Sequence, residues 1–236
     1  MAGLLVPMGG AIHNGRGRDC LEAFCVLAGR RVVVLPAASR RGNPLAWYTG
    51  PFAHFGVEVL LLPMWSVADA NEEHHARVLR EAEAVFILGG SETYLYNTLS
   101  GTRCEQALRQ AHREGAVVGG TSAGAMYLGQ WAIEDVVHEA VETGERAIPP
   151  LAQLDSVNVV YEGSSLAPRW AFDVHFSQRH HLPRLRAFSR LVPSAWCLGI
   201  DEDTAAVLDG NRIVSVVGEG DVYLVHGGEV VAISAS

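Results

Sequence analysis

Through the first half of the chain, apolar residues fall in short continuous runs separated by amphipathic or polar stretches. Residues 4–8, 31–36, 57–62 and 85–88 are such runs, and a fifth begins at Val117. Between the first two, Leu21, Phe24 and Val26-Leu27 recur at helical spacing within residues 18–27. Helices are also predicted over 44–55, interrupted at Gly50-Pro51, and over 71–82, 91–99 and 104–114. Unbroken apolar strands alternating with helices predict a parallel sheet covered on both faces. A ligand site is then expected beyond the carboxyl ends of its strands. The second half changes character. Residues 155–162 and 172–176 read as strands and 182–191 as a basic helix. Short strands follow over 196–200, 205–208, 212–217, 222–226 and 229–233, with turn signals at Asp209-Gly210-Asn211 and Gly227-Gly228. These predict an antiparallel C-terminal meander at the sheet edge. Neither repeats nor a linker interrupt residues 1–236, so one α/β domain is expected.

Composition narrows the classes of function. The chain is 49% apolar and 19% charged, with no apolar run approaching the length of a membrane span. The N-terminal residues read as a first strand and not as a signal peptide. A net charge of -8 argues against nucleic acid as a partner. All 18 Lys-plus-Arg positions are Arg, which excludes lysine chemistry. Cys20, Cys25, Cys104 and Cys197 form no C-x-x-C pair and read as reduced packing residues of a cytoplasmic protein.

The stretch Gly120-Thr121-Ser122-Ala123-Gly124 carries the strongest chemical signal. An apolar strand precedes it, and helix formers follow. A strand turning sharply into a helix at a serine makes a nucleophile elbow, its Oγ exposed at the strand end. The N–H of Ala123 would face a developing oxyanion. A serine needs a base. Of ten histidines, His74 and His75 lie in a polar helix, and His13, His54, His112 and His138 have no supporting pattern. His175, His180 and His181 lack a metal-ligand spacing, so no metal is expected. His175 ends a predicted strand, where such a sheet keeps its chemistry. An orienting acid could come from Asp201, Glu202 or Asp203. The order Ser, acid, His would instead pair Asp201 or Asp209 with His226.

Taken together, several motifs resemble the S51 serine peptidases, the family of cyanophycinases and aspartyl dipeptidases. They are Gly119-Gly120-Thr121-Ser122-Ala123-Gly124-Ala125, Asp173-x-His175-Phe176-x-x-Arg179, Arg184-Leu185 and Gly199-Ile200-Asp201-Glu202-x-Thr204-Ala205. The resemblance runs from Met8-Gly9-Gly10 through the strand at Ala205. It implies a three-layer α/β/α sandwich with a mostly parallel sheet, flavodoxin-like and similar to class I glutamine amidotransferase domains. It also implies a Ser-His-Glu triad of Ser122, His175 and Glu202. Gly90, in the turn Leu88-Gly89-Gly90, would join Ala123 in the oxyanion hole. Glu92, Asp173, Arg179, His181 and Arg184 fall at substrate-recognition positions. The chain departs from the family pattern at three places. Ser91-Glu92 stands for Asp-Gln, Val174 for a Gln, and His181 for the middle of three arginines. Arg179 and Arg184 still suit an anionic group.

The expectation is a cytoplasmic serine exopeptidase that hydrolyses small Asp-containing or β-aspartyl peptides without a cofactor. A homodimer is suggested by the resemblance, and neither nucleic acid nor a membrane is a partner. The alternatives are a hydrolase of another amide or ester, or a non-catalytic binding protein on the same scaffold.

Overall fold

The computed structural model describes residues 1–12, 17–39, 46–135, 151–155 and 158–235. Its first half alternates as the apolar runs predict. The strands are β1 (Leu5–Met8), β2 (Arg31–Leu35), β3 (Glu58–Leu61), β4 (Ala84–Ile87) and β5 (Val117–Thr121). Between them lie α1 (Arg18–Ala28), α2 (Ala46–His54), α3 (Val67–Ala70), α4 (Glu73–Arg80), α5 (Glu92–Leu99) and α6 (Arg103–Glu114). Local chemistry sets the bounds of α6. Thr102 Oγ accepts the N–H of Glu105 at 3.3 Å at the start, and left-handed Gly115 closes the end. The predicted helix over 71–82 is shorter, as α4, and the capped turn of α3 precedes it.

The chain continues through α7 (Ala123–Tyr127), β6 (Gly129–Asp135), β7 (Ala152–Gln153), β8 (Asn158–Glu162) and β9 (Ala167–Val174). Then come α8 (Leu182–Leu191), β10 (Trp196–Ile200), β11 (Thr204–Asp209), β12 (Arg212–Gly218), β13 (Asp221–His226) and β14 (Glu229–Ser234). Sequence reading missed β6 and β7.

The α/β class holds, but the described strands form two mixed sheets where one mostly parallel sheet was expected. The first has the order β12-β11-β1-β5-β4-β2-β3, parallel from β1 to β3 and antiparallel at β11 and β12. The second has the order β14-β13-β10-β9-β6-β8-β7 around a parallel centre of β10, β9 and β6. The expected meander is therefore split. The β11–β12 hairpin closes the free edge of β1, while β13 and β14 extend β10. The reason is the β9-α8-β10 crossover, which commits β10 to a parallel partner before the meander begins.

Period-two alternation divides the core. Val85 and Ile87 of β4 enter a cluster shared with α4, α5, α6, α7 and the inner face of the second sheet. Ala84 and Phe86 enter a second cluster beneath α1 and α2. In β9, Trp170, Phe172 and Val174 face the shared cluster, and Ala171 faces a third one under α8. Phe86 is fully buried, its ring centroid 5.1 Å from Phe24, 5.4 Å from Phe52 and 5.8 Å from Tyr48. Phe86→Ala is expected to cost about 3–5 kcal/mol through the lost burial and the cavity left behind. Chemical denaturation measures this, and a loss below about 1 kcal/mol would contradict that packing.

Candidate active site

Ser122 stands between β5 and α7 with φ 52° and ψ -122°, outside the regions an L-residue ordinarily occupies. Two glycines permit the turn. A Cβ on Gly120 would collide with the backbone of Gly124, and one on Gly124 with the carbonyl of Ile87. The chain can therefore double back onto β4, leaving the serine at the carboxyl ends of the parallel strands.

His175 follows directly after β9, and Glu202 follows β10. The parallel register sets Ile200 opposite Val174, so the residues after each strand emerge side by side. Ser122 Oγ lies 3.0 Å from His175 Nε2, and His175 Nδ1 lies 2.8 Å from Glu202 Oε1. A carboxylate only accepts, so Nδ1 carries the hydrogen and a neutral ring turns its Nε2 lone pair to the serine. The arrangement can take a proton from the hydroxyl.

Three consecutive carbonyls tie these segments together. Met8 O accepts the N–H of Ser122 at 3.1 Å, Gly9 O that of His175 at 2.8 Å, and Gly10 O that of Asp203 at 3.1 Å. Gly10 also seats the imidazole, since a Cβ there would collide with the His175 ring.

The remaining candidates from the sequence have structural partners. Asp201 accepts the amides of Ser177 at 2.9 Å and Asp221 at 3.3 Å, bracing the turn after His175. Asp203 enters through its backbone. His226 stacks on Trp196 at 4.3 Å, with Nδ1 3.0 Å from Ala195 O. His75 bonds the Asp69 carbonyl. His13 and His138 lie outside the described residues. No group of three or more described His, Cys, Asp or Glu residues is placed to hold a metal ion. No helix among the described residues is long and apolar enough to cross a membrane.

The Gly89-Gly90 turn after β4 abuts the serine. A Cβ on Gly89 would lie 3.0 Å from Ser122 Cβ. Ala123 opens α7, so its N–H has no acceptor within that helix.

Four of the five recognition candidates converge on one cavity. Glu92, Arg179, His181 and Arg184 line it together with Met126, Ile133, Glu134 and Val174. Asp173 does not. It is fully buried, with Oδ2 2.9 Å from Arg184 Nε, and Oδ1 2.6 Å from Arg184 Nη2 and 2.9 Å from His181 Nδ1. Asp173 thus holds Arg184 and His181 in place and does not face a ligand itself. Glu134 was not anticipated. It belongs to the missed strand β6, and its only signal in the sequence is an acid at the end of an apolar run.

Electrostatics favour a neutral His175 and an ionised Asp173. Burial pushes His175 below the ordinary imidazole range, the Glu202 hydrogen bond works against that shift, and the Arg179 charge adds to it. Burial opposes ionisation of Asp173, but hydrogen bonds from Arg184 and His181 outweigh it and hold the carboxyl below its usual range.

Residues 4–216 match the sequence model of Peptidase family S51. A cyanophycinase of Synechococcus elongatus is 33% identical over 229 residues, covering 94% of this chain and 68% of that protein. A cyanophycinase of Geminocystis herdmanii (strain PCC 6308) is 28% identical, with 94% and 80% covered. Among solved structures, a peptidase from an acI-B1 Actinobacterium superposes with a TM-score of 0.74 at 21% identity, over 100% of this chain and 96% of that one. A putative peptidase E protein from Listeria monocytogenes EGD-e gives 0.57 at 14% identity, with both chains fully covered. These two likenesses show the fold.

Two outcomes follow for a fluorophosphonate probe that labels an activated serine. As a base with a lowered pKa, His175 loses its extra proton below the ordinary value of 6.5, so labelling of Ser122 should rise with pH along a limb centred below 6.5. A limb at or above 6.5 would contradict the electrostatics. Gly10→Ala is expected to slow labelling about 10²-fold by displacing the ring, and an unchanged rate would contradict the seat.

Proposed function

Because the chain belongs to peptidase family S51 and is a serine peptidase, we propose that it is an exopeptidase acting on small Asp-containing or β-aspartyl peptides. The observation that carries this reading is the Ser122–His175–Glu202 relay, at 3.0 and 2.8 Å, beside a cavity lined by Arg179 and Arg184.

On this reading His175 Nε2 removes the Ser122 proton as Oγ attacks the scissile carbonyl carbon. Glu202 holds the other ring nitrogen and stabilises the imidazolium that forms. The amides of Gly90 and Ala123 donate to the oxyanion of the tetrahedral intermediate, a contribution of about 10²–10³ in turnover per donor. Collapse breaks the C–N bond, and the imidazolium gives its proton to the leaving amine. His175 then deprotonates a water, which attacks the acyl-enzyme and releases the acid and the free serine. No cofactor enters the scheme.

The cavity supports the substrate class. Arg179 and Arg184 can attract a carboxylate, with Arg184 oriented by Asp173. Glu92 and Glu134 line the same space, so a substrate bearing both a carboxylate and an ammonium or guanidinium group matches it. The parallel core of the first sheet, with α1 and α2 on one face and α4 to α7 on the other, supports a three-layer α/β/α domain of the amidotransferase-like kind. A single domain over the chain is proposed, with the second sheet packed on this layer through a shared core cluster. Four buried free thiols suit a reducing compartment, and the cytoplasm is the proposed location.

A panel of cyanophycin, β-Asp-Arg, α-linked Asp-Xaa dipeptides and neutral dipeptides tests the reading against Ser122→Ala protein. Cleavage of one acidic class is expected, with the variant slower by about 10⁴–10⁶-fold. No cleavage of any member by folded wild-type protein would overturn the Asp-peptide assignment.

A further inference from the structure

The helix that follows the serine has little grip of its own. α7 is five residues long, and Ala123, Gly124 and Ala125 offer almost no side chain to pack. A helix this short is not stable by itself, so its direction is set by what it is tied to. The first tie is at its start, where the N–H of Ser122 donates to Met8 O at 3.1 Å. The second is at its last residue. The ring of Tyr127 is fully buried, and its O–H donates to Glu105 Oε1 at 2.7 Å.

Glu105 is itself held on both sides. It lies buried in the first turn of α6, where Oε2 accepts the N–H of Gly101 at 2.7 Å and Oε1 meets Arg109 Nη2 at 3.2 Å. Burial and the Glu105 charge push the Tyr127 phenol well above its ordinary range, so it stays an O–H donor. The ring of Tyr96 on α5 packs against that of Tyr127, with centroids 5.4 Å apart. A phenylalanine would fill the same space, and burying an acid costs desolvation. What the tyrosine and the carboxylate add is a fixed point for the far end of α7.

Resting on the peptidase reading above, we propose that Tyr127 and Glu105 are positioning residues of the hydrolysis. By fixing the end of α7 they aim the Ala123 N–H at the oxyanion. His175 is placed independently, through Gly9 O and Glu202. Releasing Tyr127 therefore leaves the base in place and lets α7 pivot about its first tie. Misplacing a group by about 1 Å can cost about 10²-fold in rate, so a partial pivot is expected to cost about tenfold.

The test labels wild-type protein, Tyr127→Phe, Glu105→Ala, the double variant and Phe52→Leu with a fluorophosphonate over a range of concentrations. All are compared at a temperature where denaturation curves show them folded. Saturation separates the limiting labelling rate from the concentration that gives half of it. Tyr127→Phe should lower the limiting rate about tenfold and leave the half-saturating concentration unchanged. Glu105→Ala should slow labelling by a similar factor. The double variant should be no slower than the slower single one, because both residues act through one contact. Phe52 packs under α2, on the opposite face of the first sheet. Phe52→Leu loosens the core away from α7, and its labelling should stay within about twofold of wild type.

A limiting rate for Tyr127→Phe within about twofold of wild type overturns the proposal. So does a loss carried by the half-saturating concentration alone, or an equal loss in Phe52→Leu, which would make the effect a general loosening. Additive losses in the double variant overturn the claim that Glu105 acts through Tyr127. If Tyr127→Phe does not fold, Glu105→Ala decides by the same criteria. The probe needs no peptide, so wild-type protein that is labelled but cleaves no member of the panel loses only the Asp-peptide assignment, and the labelling comparison still decides this inference. Folded wild-type protein that the probe does not label overturns both.

Discussion

Three neighbouring carbonyls govern the geometry of this molecule. Met8, Gly9 and Gly10 accept the amides of Ser122, His175 and Asp203, whose chain segments come from three distant parts of the sequence. The serine follows a strand of the first sheet, and the histidine a strand of the second. Each contact is an ordinary backbone hydrogen bond, worth about 1 kcal/mol net. Together they fix Ser122, His175 and the loop that carries Glu202 to a single strand end. The cost of left-handed backbone at Ser122, His175 and Asp203, with φ values of 52°, 49° and 54°, is offset by this convergence.

The recognition cavity follows the same pattern at one remove. Asp173 is the last residue but one of β9, so it is placed by the strand that also places His175. Its buried carboxylate orients an arginine and an imidazole by two and one hydrogen bonds respectively. A buried ion pair of this kind contributes little net stability once the cost of desolvation is counted. Its value here is geometric, because it orients two polar groups that line the cavity.

Much of this was legible in the sequence, for reasons that differ residue by residue. The serine turn was readable because its constraints are local: Gly120 and Gly124 flank Ser122 within the same short segment. His175 was one of ten histidines, and its partner remained open among Asp201, Glu202 and Asp203 until family resemblance was added. Tertiary contacts distinguish them, since Glu202 meets His175 Nδ1 while the carboxylate of Asp201 is used by two amides. No local pattern carries such information. The division of the C-terminal strands between two sheets was illegible for the same reason: short alternating strands do not declare which edge they will join. Glu134 escaped notice because β6 did, and a single acid ending an apolar run is common in loops.

The placement of β1 has a consequence for the order in which the protein comes into being. This strand lies inside the first sheet, between β5 and β11, and its register joins Leu5 to Leu208. Synthesis delivers β1 well before β11, with the parallel centre of the second sheet made in between. The carbonyls of Gly9 and Gly10 therefore wait for their partners until the segments after β9 and β10 are made. Contacts of such long sequence separation slow folding. They also mean that no nascent fragment ending before β9 brings Ser122 and His175 together.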